Sequence, residues 1–78
     1  MPTQRIVIGQ KWVQVTTDTT QKLIECTSGF GVLVAAASAP DDSQIWGHSM
    51  LVGATAVVNE PTFARADPSK GECIFILT

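Results

Sequence analysis

The side chains able to do chemistry gather in one stretch, Ser38 to Ser49, which holds Asp41, Asp42 and His48 with Trp46 between them. Two carboxylates and an imidazole are the parts of a metal site or of an acid–base set. The same residues have a plainer reading: Pro40-Asp41-Asp42-Ser43 is turn chemistry, in which Asp side chains bond nearby backbone amides. Structural zinc asks for about four ligands, usually in close pairs. Here His48 is the single histidine, and Cys26 and Cys73 lie far apart in the chain. A nucleophile lacks its base, since no acid stands at a recognisable spacing from His48 and no Gly-x-Ser-x-Gly elbow occurs. Gly29, Gly31 and Gly47 are spaced as single turn-formers and cradle no phosphate. A carboxylate pair for glycoside chemistry could be drawn from the seven acids, but a domain this small rarely encloses a deep cleft. The expectation is a protein that is not an enzyme and takes no cofactor and no metal.

What positions these residues is a rhythm of short β-branched and apolar runs parted by turn residues: Arg5 to Ile8, Lys11 to Thr16, Lys22 to Cys26, Gly31 to Ala36, Met50 to Val58, Thr62 to Ala66 and Glu72 to Leu77. This predicts an all-β fold, a small single-domain β-sandwich or barrel of about seven short, mainly antiparallel strands spanning residues 1–78. In the second run Val13 and Val15 share one face, and Trp12 and Gln14 the other. The polar Thr17 to Gln21 turn suggests a hairpin joining that run to Lys22–Thr27, whose Ile24 and Cys26 face inward. Phe30 to Ala37 is too apolar for alternation and reads as a central strand covered on both faces. Gly29 and Gly31 before it and Pro40 after it argue against a helix. Met50 to Gly53 and Ala54 to Val58 read as a pair of short strands, or as one long strand with a bulge or sharp bend at Gly53. Phe63 and Arg65 share one side of their strand, and Asp67 to Gly71 turns the chain into Cys73 to Leu77, which must be covered on both faces.

With 78 residues the core is marginal, because a chain of this size buries only about 60% of its unfolded surface. Disulfides, metals or association usually make up the difference. Cys26 and Cys73 allow at most one bridge, and with Met1-Pro2-Thr3-Gln4 showing no secretory character the better reading is two buried free thiols. Association remains, and the composition suits it: 45% of residues are apolar and 15% charged. A formal charge of −2, with Arg5, Lys11, Lys22, Arg65 and Lys70 scattered singly, gives nucleic acid no basic stripe to bind. The longest apolar stretch, Phe30 to Ala39, is about half of what a spanning helix needs, so no membrane partner is expected.

Trp12-Val13-Gln14-Val15, Lys22 to Thr27, Gly31-Val32-Leu33-Val34-Ala35 and the loop starting Ala39-Pro40-Asp41 resemble small virion proteins of tailed bacteriophages. Thr62-Phe63-Ala64-Arg65-Ala66, with Gly71 leading into a closing apolar strand, fits the same pattern, while Cys26 and Cys73 stand outside it. The resemblance covers most of the chain on motifs of low specificity. It implies a structural virion component, such as a capsid decoration or head-fibre or tail-associated protein, located in the virion after assembly in the host cytoplasm. Its partners would be copies of itself and other virion proteins such as the major capsid protein. It transfers no catalytic residue. A charge-poor β domain with surplus apolar surface likewise predicts a homo-oligomer, a trimer first and a dimer second. The residues expected at subunit contacts are Trp12, Ile45, Trp46 and the N-terminal strand Ile6 to Ile8. The alternative is a carbohydrate- or receptor-binding module in which Trp46 and His48 of the 38–49 loop stack on and hydrogen-bond a sugar.

Overall fold

Alternating burial along the chain resolves into eight strands, β1 (Gln4–Ile8), β2 (Val13–Thr16), β3 (Lys22–Ser28), β4 (Gly31–Ala35), β5 (His48–Met50), β6 (Thr55–Val58), β7 (Thr62–Ala66) and β8 (Cys73–Leu77). They come from a computed structural model that describes residues 3–17, 19, 21–67 and 71–78. The strands form two four-stranded sheets, ordered β1-β8-β3-β6 (sheet A) and β2-β7-β4-β5 (sheet B), with every pairing antiparallel. The two sheets face each other across one core and do not close on each other, so the fold is a sandwich and not a barrel.

Sheet A contributes Ile8, Ile24, Cys26, Cys73, Phe75 and Leu77 to that core, and sheet B contributes Val15, Leu33, Met50, Ala64 and Ala66. Large side chains on one sheet meet small ones on the other, which is how a thin sandwich reaches interior packing density. A Cβ on Gly31 would sit 2.7 Å from Phe75 Cζ and 2.9 Å from Cys73 Sγ, so the missing side chain is the space that the Phe75 ring fills. At the β3–β4 corner Gly29 has φ 76°, and a Cβ there would run into the Glu72 carbonyl oxygen and lie 2.9 Å from Cys73 Cα. Only glycine takes this turn without strain.

One expectation from the sequence is corrected in its pairing and one in its bounds. The expected hairpin between β2 and β3 does not form: β2 pairs with β7 in sheet B, and β3 pairs with β6 and β8 in sheet A. The intervening link, part of which lies outside the described residues, carries the chain across the core, so Val15 and Ile24 approach it from opposite sheets. The pair of short strands read in Met50 to Val58 is present as β5 and β6, but the first lies earlier, at His48–Met50, because residues 51–54 turn the chain from sheet B to sheet A. The Gly53 amide donates to the Cys26 carbonyl at 2.8 Å and fastens that turn onto β3. Among the described strands, β4 and β5 are the one sequential pair that are also neighbours in a sheet.

The central position of β4 agrees with the sequence reading: it lies between β7 and β5, with Val32 and Leu33 both buried. For β8 the inner face, Cys73, Phe75 and Leu77, is buried, but Ile74 and Ile76 on the outer face remain partly open. Cover on both faces, expected from the unbroken apolar run, is therefore incomplete within one chain. Cys26 and Cys73 are buried free thiols, as read from the sequence. The Asp67 to Gly71 turn falls partly outside the described residues.

Candidate functional site

The long segment between β4 and β5 does not project from the sandwich; it folds back over the outer face of sheet B. Strand alternation sends Val32, Phe63 and Arg65 outward from this sheet, and Trp12, just before β2, joins Val32 and Phe63 in a second apolar cluster. The Trp12 Nε1–H donates to the Gln44 carbonyl at 3.0 Å. Arg65 Nη1 donates to the Asp42 carbonyl at 2.9 Å and to the same Gln44 carbonyl at 3.1 Å. The guanidinium carbon stands 5.7 Å from the Trp12 ring centroid, within cation–π range. Arg65 is only 5% exposed, and its charge is stabilised here by backbone carbonyl dipoles and an aromatic face in place of a carboxylate. That explains why all five residues of β7 are buried.

Asp41 and Asp42 fall into structural roles in the same loop. Asp41 Oδ1 accepts from the Ser43 amide at 2.8 Å, and the Gln44 amide donates to the Asp41 carbonyl at 2.9 Å, which closes a turn. Ser43 holds the Asp41 carboxyl below its ordinary range, first through this amide and then through its hydroxyl. The Asp42 carboxylate lies 4.0 Å from Lys11 Nζ with both side chains well exposed, a geometry worth little in water. Among the described residues no three His, Cys, Asp or Glu side chains converge as metal ligands.

The residues expected at subunit contacts separate into two groups. Ile8 lies fully in the core, Ile6 packs against it, and Trp12 is covered by its own loop, so these three side chains are engaged inside the chain. Ile45 and Trp46 project from the loop, with Trp46 69% exposed, the highest value among the large apolar residues described. Arg65 was readable in the sequence as the partner of Phe63 on one strand face. Its role as the clamp of the loop was not, because its acceptors are backbone carbonyls, which carry no sequence signature.

At the open edge between β5 and β6 the sheets part into a cleft of about 440 Å³. Leu33, Met50, Ala56 and Val58 form its apolar depth, while His48 and Asn59 line its exposed margin. Among the described residues no hydrogen bond joins His48 to Ser49, Asn59 or Glu60, so the cleft presents polar groups without a nucleophile–base pair.

On the outer face of sheet A, sequence reasoning singled out the N-terminal strand and the closing β8 run but not Arg5, Leu23, Glu25 or Val57. Val7 lies beside Ile74, Arg5 and Glu25 both lie beside Ile76, and Leu23 pairs with Val57. Val7, Leu23 and Val57 are exposed. Their outward direction follows from alternation once the inward set is known, so the period-two pattern was the available signal. No protein-family model matches the chain, and no curated protein or solved structure matches it.

Proposed function

We propose that this protein is a structural subunit working through protein–protein contacts in a symmetric homo-oligomeric assembly. The reading extends to a virion component of a tailed phage, of the capsid-decoration, head-fibre or tail-associated kind that the strand motifs resemble, in contact with partners such as a major capsid protein. The observation that carries it is the apolar surface: Ile45, Trp46, Leu51, Val52 and Val57 are each more than half exposed. Such side chains, on a chain with 15% charged residues, mark a surface that gains by being covered. Light scattering on the purified protein tests the reading. A monodisperse oligomer supports it, and a monomer at every concentration removes its homo-oligomeric core.

A second reading, a carbohydrate- or receptor-binding module on the 38–49 loop, is favoured by one arrangement. Trp46 is open to solvent two residues before His48, which stands at the margin of the cleft. An exposed indole close in the chain to a polar-rimmed depression is the kind of pairing a sugar ring uses. Titration of glycans followed by tryptophan fluorescence, with Trp46→Ala as control, decides between the two.

A further inference from the structure

We infer that the outer face of sheet A is a twofold interface with a second copy of this chain. The inference rests on the assembly reading and specifies the partner and the geometry of one contact.

Three strands set the pattern. On β8 the outward residues are Ile74 and Ile76, and Ile76 is flanked on one side by Arg5 of β1 and on the other by Glu25 of β3. All three lie in one row across the sheet. Arg5 and Glu25 are exposed, and among the described residues neither is in an ion pair. Two interstrand spacings place their Cα atoms about 10 Å apart.

This row is self-complementary. A twofold axis lying in the interface, close to the direction of β8 and passing by Ile76, exchanges the positions of β1 and β3. Arg5 then faces the partner's Glu25 and Glu25 the partner's Arg5, while Ile76 packs on its own symmetry mate and Ile74 does the same. The apolar centre with opposite charges on its two sides is the arrangement an isologous contact requires. The same row does not suit a heterologous ring, in which one face must meet a different surface. The contact therefore favours an even-numbered assembly over the trimer expected from composition.

Three strands of about five residues give a footprint on the order of 250 Å² in projection, well below the roughly 800 Å² per partner of a standard interface. The isolated dimer is accordingly weak and concentration-dependent, and in a larger particle the contact adds to others by avidity.

Charge reversal tests the geometry. Arg5→Glu places two like-charged pairs across the axis, and so does Glu25→Arg; each should weaken self-association about tenfold at low salt. The double variant restores opposite charges and should associate like the parent. An equimolar mixture of the two single variants should also associate, as a heterodimer in which every pair is complementary, an outcome that an intrachain ion pair does not produce. Ile76→Lys sets two ammonium groups beside the axis and should abolish the dimer without rescue by either reversal. Sedimentation equilibrium over a concentration series reads the parent and each of these samples, with tryptophan fluorescence unfolding to show that each variant is folded. An oligomer whose mass and affinity ignore all these changes overturns the sheet A contact and leaves the assembly reading standing. A parent protein that stays monomeric throughout overturns the contact and the homo-oligomer together.

Discussion

On sheet B the outward Trp12, Val32 and Phe63 lie beneath the chain's own loop, whereas on sheet A the outward Val7, Leu23 and Val57 have no such cover. Both faces are apolar, so hydropathy is not what separates them. The difference is in the connections. β4 and β5 are neighbours in sheet B joined by the long 36–47 segment, which has enough chain to fold back over its own sheet. Every other connection joins a strand of one sheet to a strand of the other. One face is thus covered inside the molecule, and the other stays exposed.

The comparison breaks most readily at Trp12. Trp12→Ala removes the centre of the second cluster and the bond to Gln44, and should destabilise the fold by about 3–5 kcal/mol. Urea unfolding measures it, and a loss below about 1 kcal/mol would show that the loop rests on sheet B without stabilising it. Arg65→Met comes next, at about 2 kcal/mol, because it leaves the Asp42 carbonyl without its side-chain donor while keeping most of the buried volume. Hydrogen exchange should speed at the Gln44 amide and stay unchanged in β8. Equal acceleration in both places would mean that the clamp is not local.

The core between the two faces responds to alkali. Burial, and then the neighbouring Cys26, push the Cys73 thiol from 9.0 up to about 11, and burial raises Cys26 as well. In this window the unfolded chain loses thiol protons that the folded chain keeps, so stability present below pH 9 falls as the pH rises toward 11. Denaturant midpoints across that range should decline, with a shallower slope in Cys73→Ala. A flat profile in the parent would place the thiols in contact with water. The smallest effect is expected on the bare face: Val57→Thr should change stability by no more than about 0.5 kcal/mol, and a larger cost would mean that sheet A has a cover of its own.

The existence of strands was legible because Val, Ile and Thr runs alternate between glycine, proline and aspartate turns. Ile24 and Cys26 were readable as inward and Arg65 as sharing a face with Phe63. Strand pairing was not legible. A polar five-residue link such as Thr17 to Gln21 serves a hairpin and a crossing equally well, and β2–β3 proved to be a crossing. The same limit hid the state of Ile8 and Trp12. Both read as apolar residues available to a neighbour, but one fills the core and the other lies beneath a loop whose path depends on carbonyls at 42 and 44.

Composition and periodicity, which are local properties, settled the all-β class, the free thiols' suitability as core residues and the turn chemistry of Asp41. The partition of strands between sheets depended on contacts distant in the chain, since burial can be satisfied by several pairings that share one alternation pattern. So did the covering of one sheet and the exposure of the other. Which apolar face meets water is decided by where the connecting chain runs, and that path is fixed by Arg65 and Trp12 meeting backbone carbonyls far away in the chain, a pairing that periodicity does not show.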